Sequence, residues 1–379
     1  MSLTLTAEQA LLRDNARDWV REAGPSGHVR RLRDRGDGRG FSRELWRQMA
    51  DLGWSGIVLP EPYGGLGLGY AELGIVLEEL GRALVPTPLV SSVLLAGGVL
   101  VEGGSEPQKH ALLPEIARGD QVVALAFEEA PRFQPHRVAC KAERQGDGYV
   151  LHGRKAFVLD GHVAEHVIVS ARTSGAVDDR DGISLFLLDR GARGLQVERT
   201  SMIDQRNAAR LKLDRVVVPR SALVGTVDQG AQLLDRVLDW AAIGLAAELL
   251  GIVSQAYDIT LEYLKTRVQF DVLIGSFQAL QHRAVDMFCE IELCKSLVLA
   301  ALSAIDEKRD DTPVLASAAK ARLSEASRWI TREAVQLHGG IGMTDEHDIG
   351  LYLKRAAVAE QTFGDAAYHR DRFARLRGY

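Results

Sequence analysis

The hydrophobic period of this chain changes twice, and those changes constrain its fold more tightly than any bulk property. From Thr6 to about Arg118 apolar residues recur at helical spacing: Thr6 and Gln9 form a capping box, and Leu12, Ala16 and Val20 line one face. Between about Asp120 and Gly225 the period falls to two. That predicts strands at Gln121–Phe127, Tyr149–Leu151, His166–Ala171, Ile183–Leu188 and Leu211–Val218. From Gln229 the helical period returns, with Leu234, Leu238, Ala241, Leu245, Leu249, Val253 and Ala256 in one continuous stripe. Thr312 and Pro313 open a further helix as cap and first-turn proline. The expected order is a helical region over 1–119, a small β-region over 120–226 and a second helical region over 227–379, an α+β chain.

Composition narrows the classes of function. At 379 residues, 46% hydrophobic and 26% charged, the chain can bury an extensive core in two or three regions. A net charge of −5 argues against a general nucleic-acid binder, although 46 Lys and Arg leave room for a local basic patch. Cys140, Cys289 and Cys294 show no metal-like spacing, so they are expected to be packing residues in a reducing compartment. No metal site is expected. The opening MSLTLTAEQALL lacks a basic segment followed by an apolar core, and no unbroken apolar run reaches about 18 to 20 residues. A cytoplasmic protein is the expectation. Gly24 to Gly40 is charged and glycine-rich, which predicts an exposed loop whose arginines are solvated rather than bound to phosphate.

Two segments near the C-terminus carry the chemistry. YLKTRVQFDVLIGSFQALQHRAVDM, from Tyr263, reads as helix, turn and helix. Arg267 and Gln269 stand near the end of the first helix, where a guanidinium can pair with phosphate through two parallel hydrogen bonds. Gln278 opens the next helix, where free backbone N–H groups can meet a polar ligand. In QLHGGIGMTDEH, from Gln336, Gly339, Gly340 and Gly342 permit backbone conformations closed to other residues and let a ligand approach the main chain. Each residue taken alone has an ordinary explanation: a surface ion pair, a helix start, a C-cap, and for His338 a satisfied loop histidine.

Taken together these segments resemble the acyl-CoA dehydrogenase family, FAD flavoenzymes that oxidise acyl-CoA thioesters to 2-enoyl-CoA. The segment from Leu59 to Arg82 is similar to the family's Pro-Glu-x-Tyr-Gly-Gly-x-Gly element, and that from Gly148 to Gly161 to the hairpin beside the flavin. Arg-x-Gln-Phe at Arg267 to Phe270 and Gln-x-x-Gly-Gly at Gln336 to Gly340 are the most specific matches. The resemblance implies an N-terminal helical domain, a middle β-barrel and a C-terminal four-helix bundle. It also implies FAD as cofactor, with Arg267, Gln269, Phe270, Gln278, Gln336, Gly339 and Gly340 as binding residues. An acyl-CoA substrate, dimers and tetramers, an electron-accepting protein and a place in fatty-acid or steroid side-chain β-oxidation follow from the same likeness.

Dehydrogenation across Cα and Cβ of a thioester needs a base for the α proton, a flavin to accept the β hydride and hydrogen bonds to the thioester oxygen. The family's glutamate base stands at one of two places, which fall here on Phe363 and Ala241. Neither side chain accepts a proton. The family's Thr-Glu-Pro-x-x-Gly-Ser-Asp loop reads FEEAPRFQPHR, keeping at most Glu128, and its flavin-contacting threonine corresponds to Leu159. By the resemblance, the retained elements serve a neighbour's FAD while the lost ones serve the chain's own. Three readings follow: a non-catalytic subunit that completes the FAD site of a catalytic partner; a self-sufficient homo-oligomer with a relocated base, for which Asp365, Asp239, Glu248 and Glu360 are the nearest carboxylates; or a scaffold that binds FAD or acyl-CoA without turnover.

Overall fold

The computed structural model describes residues 5–23 and 27–379. Helices α1 (Ala7–Ala23), α2 (Gly27–Arg35), α3 (Arg43–Asp51), α4 (Tyr70–Arg82), α5 (Gly98–Gly103) and α6 (Glu106–Ala117) come first. Strands β1 (Val123–Ala126), β2 (Lys141–Gln145), β3 (Gly148–Leu159), β4 (His166–Arg172), β5 (Ile183–Asp189), β6 (Leu195–Ser201), β7 (Asn207–Pro219) and β8 (Leu223–Val224) follow. The chain then forms α7 (Gly230–Thr266), a hairpin of β9 (Val268–Gln269) and β10 (Val272–Leu273), α8 (Gln278–Asp306), α9 (Thr312–His338), α10 (Ile349–Gln361) and α11 (Ala366–Leu376).

Every expected strand forms, and the α+β class holds. β2, β6 and β8 escaped the periodicity because β2 is a charged pentapeptide, β6 is half exposed and β8 is two residues long. The expected loop over 24–40 needs correction: residues 27–35 are helix α2, and residues 24–26 lie outside the described set. Burial of Val29 and ion pairs from Arg30 and Arg33 to Asp345 and Asp348 hold this short polar helix, a tertiary contribution invisible in local sequence. Cys140 and Cys294 are buried as expected, whereas Cys289 in α8 is exposed, which corrects its reading as a packing residue. Desolvation pushes the Cys140 thiol up to about 11, which leaves it inert.

The chain divides into two compact units. One comprises Gly36–Gly69 and Thr87–Ala241 and contains the sheet, in the order β6-β7-β3-β2-β4-β5-β8, with β1 laid parallel to β4. β1 is buried at every residue, and β3 and β7 form the long antiparallel pair. Lys155 of β3 carries a charge into this core. Its ammonium donates to Glu129 at 2.6 Å and to Ser170 at 2.8 Å, and Glu129 also accepts from the backbone N–H of Ala139 at 2.7 Å. The engaged acid is Glu129; its neighbour Glu128 takes no part in this arrangement.

The other unit comprises the described residues up to Arg35, Tyr70–Pro86 and Ala242–Tyr379. Helix α7 passes from one unit to the other at Ala241 and Ala242. It is long and apolar enough to cross a membrane by composition, yet 89% of its most apolar window is buried within the protein, as in a core helix. A Cβ at Gly251 would lie 1.9 Å from the carbonyl oxygen of Glu78, so α4 and α7 cross with their backbones touching. One turn earlier, Glu248 receives a hydrogen bond from buried Arg355 of α10 at 2.9 Å.

Helices α9, α10 and α11 meet around the loop between Glu360 and Asp365. Lys320, fully buried in α9, donates to Ser324 Oγ at 3.0 Å and to the carbonyl oxygens of Glu360 at 3.0 Å and Gly364 at 2.8 Å. Burial pulls its pKa down to about 7. His369 Nε2 donates to the Phe363 carbonyl at 2.8 Å. Desolvation depresses this imidazole to about 3, with the nearby Lys320 adding to the effect. Between pH about 3 and about 6.5 the unfolded chain therefore binds more protons than the folded one. The stability that His369 supports is intact above about 6.5 and is lost as pH falls toward 3. His369→Gln keeps a donor for Phe363 but does not titrate. It is expected to flatten the stability–pH curve in that window by up to about 1.4 kcal/mol per pH unit, checked by denaturant unfolding at about pH 7 and 4.5; an unchanged slope would contradict the assignment.

Candidate functional site

The Arg-x-Gln-Phe segment is a β-hairpin and not the simple helix–turn–helix read from the sequence. Helix α7 ends at Thr266, Arg267 N–H bonds back to Tyr263 at 2.9 Å, and Gln269 pairs with Val272. Phe270 and Asp271 occupy the turn with φ of 56° and 65°, both in the left-handed region that two-residue hairpin turns demand. Asp271 holds the second left-handed position of this turn although it is not glycine. The N–H of Ile274 closes the hairpin on the Arg267 carbonyl at 2.9 Å.

Beneath the hairpin lies a cavity of about 540 Å³, with Tyr263, Arg267, Gln269, Gln336, His338, Gly339 and Gly340 in its wall. Five of the seven sequence-predicted binding residues thus converge. Phe270 and Gln278 do not line the cavity: Phe270 is 85% exposed at the hairpin tip, edge-on to Phe277, and Gln278 is exposed at the start of α8. The Arg267 guanidinium makes no ion pair among the described residues, whereas neighbouring Arg283 is neutralised by Glu333 at 2.7 Å. Gly339 has φ 63° and ψ −141°, a conformation accessible to glycine alone, and a Cβ on Gly339 or Gly340 would meet nothing within 4 Å. An unpaired cation beside two open glycine faces suits an anionic ligand that lies against the main chain.

His338 is more than a satisfied loop residue. It ends α9, is 3% exposed, and donates from Nδ1 to the Ala334 carbonyl at 2.7 Å, leaving Nε2 without a partner. Its ring lies 4.5 Å from Tyr263 and 4.3 Å from His347, centroid to centroid. Burial lowers its pKa, so the imidazole is neutral near pH 7. Tyr263, Arg283 and His338 were not proposed as site residues, because only the fold turns their helix positions toward the hairpin.

The positions implied for a base are closed. Phe363 is 2% exposed with φ 60°, followed by Gly364 at 97°, and Ala241 is fully buried. The nearest carboxylates are all engaged. Asp365 caps α11 by accepting from Tyr368 N–H at 2.8 Å, Glu248 is paired with Arg355 at 2.9 Å, and Glu360 with Arg328 at 3.4 Å. Asp239 is buried and has an interaction of its own within the fold. Leu159 stands at the end of β3 and offers no hydrogen bond from its side chain. Glu128 differs from these: it is half-buried, its carboxyl has no partner among the described residues, and desolvation pushes its pKa up to about 8.

Three family models match in order along the chain: the acyl-CoA dehydrogenase N-terminal domain over residues 6–120, the middle domain over 131–216 and the C-terminal domain over 228–376. The chain belongs to the acyl-CoA dehydrogenase family of oxidoreductases. Among its relatives, acyl-CoA dehydrogenase IpdE2 of Mycobacterium tuberculosis is 33% identical over 363 residues, 95% of this chain and 94% of that one. Among solved structures, a Tcur3481–Tcur3483 steroid ACAD variant superposes with a TM-score of 0.86 at 33% identity, covering 99% of this chain and 98% of that one. The ChsE4–ChsE5 complex of Mycobacterium tuberculosis superposes with a TM-score of 0.89 at 28% identity over the whole of both chains.

The hairpin turn yields a direct test. A non-glycine residue at positive φ is strained, so Asp271→Gly is expected to stabilise the protein by about 0.5–1 kcal/mol and to slow exchange of the Ile274 amide. Faster exchange of that amide would show that Asp271 supports the turn in some other way.

Proposed function

We propose that this chain is the non-catalytic subunit of a heteromeric acyl-CoA dehydrogenase, contributing a nucleotide-binding edge to an FAD site whose base comes from a partner. The observation that carries this reading is a contrast within one molecule. At the cofactor-type cavity Arg267 has no ion pair among the described residues, and Gly339 and Gly340 are open. At both base positions there is no proton acceptor, and every carboxylate nearby is occupied by a cap, an ion pair or another contact within the fold.

FAD is the cofactor. In this reading Arg267 holds its diphosphate, Gly339 and Gly340 admit it against the main chain, and Gln269 and Gln336 supply amide hydrogen bonds; their shared place in one cavity wall supports it. Bound there, FAD supplies the hydride acceptor for dehydrogenation. The contribution of this chain is binding and orientation, which requires no titrating group. An exposed hairpin tip beside the cavity, with Phe270 85% exposed, supports delivery of this edge to another protomer. Identity to a steroid ACAD and to a chain of the ChsE4–ChsE5 complex supports a bulky acyl-CoA thioester as substrate and assembly with a second kind of chain.

A self-sufficient enzyme has one observation in its favour, the unpartnered Glu128. A carboxyl with a pKa of about 8 is mostly protonated at neutral pH, so as a base it would give turnover that rises through pH 8 and vanishes in Glu128→Gln.

The deciding experiment compares flavin absorbance and acyl-CoA oxidation for the chain alone and for the chain co-expressed with a glutamate-bearing acyl-CoA dehydrogenase subunit. Purified alone, the chain is expected to oxidise no acyl-CoA; the complex is expected to hold FAD and turn over. In that complex Gly340→Val, which places a side chain in the open cavity face, is expected to weaken FAD retention by about tenfold or more with folding unchanged by circular dichroism. A homotetramer of this chain with one FAD per subunit and acyl-CoA oxidation of its own would refute the proposal.

A further inference from the structure

The arginine-rich helix α2 has no part in the reading above, yet two of its arginines, Arg30 and Arg33, reach the same distant segment, Arg33 while also pairing with Asp34 beside it. Arg30 forms a two-point contact with Asp348, from Nε at 2.9 Å and Nη2 at 2.8 Å, and reaches Asp345 from Nη1 at 3.1 Å. Arg33 donates to the same Asp345 at 2.6 Å. These partners lie more than 300 residues away in sequence, so helix-local chemistry does not account for them. Isolated exposed pairs contribute little, but a four-group network with a two-point guanidinium contact and arginines only 22% and 28% exposed constrains geometry.

What the network grips is the descending limb of the double-glycine segment. Between Asp345 and Asp348 sits His347, whose Nδ1 accepts from the Ile349 N–H at 3.2 Å and whose ring lies 4.3 Å from that of His338. His338 in turn lies 4.5 Å from Tyr263, and both line the cavity. The Tyr263 carbonyl accepts the N–H of Arg267. A continuous set of contacts therefore runs from α2 through three rings to the backbone of Arg267, whose side chain lines the cavity.

We propose that Arg30 and Arg33 are positioning residues for the nucleotide cavity: α2 is an electrostatic strap across residues 345–348 that holds the glycine segment and its ring stack in the ligand-binding shape. The inference rests on the assignment of this cavity to FAD. It gives the N-terminal helix a role in cofactor retention without any contact to the cofactor.

The test uses the FAD-loaded oligomer and follows flavin release by fluorescence at about 50 mM and about 0.5 M NaCl, where screening lengths differ about threefold. Arg30→Glu with Arg33→Glu is expected to speed release about tenfold at low salt, and wild type is expected to approach that rate at high salt. Adding Asp345→Arg and Asp348→Arg to make the full charge swap is expected to restore slow release, which a merely structural defect would not allow. Should the double glutamate variant fail to fold, Arg30→Gln with Arg33→Gln and the wild-type salt dependence give the same readout. Release unaffected by the α2 substitutions and by salt, while Arg267→Ala accelerates it, overturns the strap alone. Release unaffected by Arg267→Ala as well overturns the assignment of the cavity itself.

Discussion

The contact on which the helical unit depends is the crossing of α4 and α7 at Gly251, where helix backbones touch because no side chain separates them. One turn earlier on α7, Glu248 pairs with Arg355 in α10, and burial of both partners makes their pairing obligatory, since either charge alone would be stranded in a medium of low polarizability. α10 leads directly into the Phe363 loop, and its start carries Asp348. The cavity wall, the strap helix and the closed base position are thus all referenced to one helix, α7, and to its immediate packing.

Much of this architecture was legible in the sequence because it follows from repeating patterns. The α7 stripe from Leu234 to Ala256 marks a core helix, and the doublet period marks β4 and β5 nearly to the residue. The Thr6–Gln9 capping box forms as read, with both reciprocal hydrogen bonds present. Elements that went unread owe their existence to distant partners. α2 looks like a loop until Asp345 and Asp348 are placed beside it, and β6 is only half buried along β7. The hairpin at Phe270 and Asp271 was hidden because neither residue advertises a left-handed turn; the flanking pairing imposes it.

The site was legible unevenly for the same reason. Arg267, Gln269, Gln336, Gly339 and Gly340 stand in short motifs and converge as expected, since residues fixed to one turn move together. His338 and Tyr263 belong to helix ends whose facing is set by the bundle, and no spacing rule reveals that their rings meet. The pairing of Lys155 with Glu129 and not with its neighbour Glu128 was not readable either. On an extended backbone a shift of one reverses the side to which a side chain projects, and sequence alone does not fix it.

The frame around residue 363 holds main-chain oxygens only. Lys320 binds the carbonyls of 360 and 364, and His369 that of 363; none of these hydrogen bonds senses what side chain stands there. Main-chain anchoring and side-chain identity are therefore separate at this corner of the molecule: the bonds that join the three helices make no use of the ring at 363. Whatever group residue 363 presents, the scaffold that carries it is held by atoms common to every amino acid.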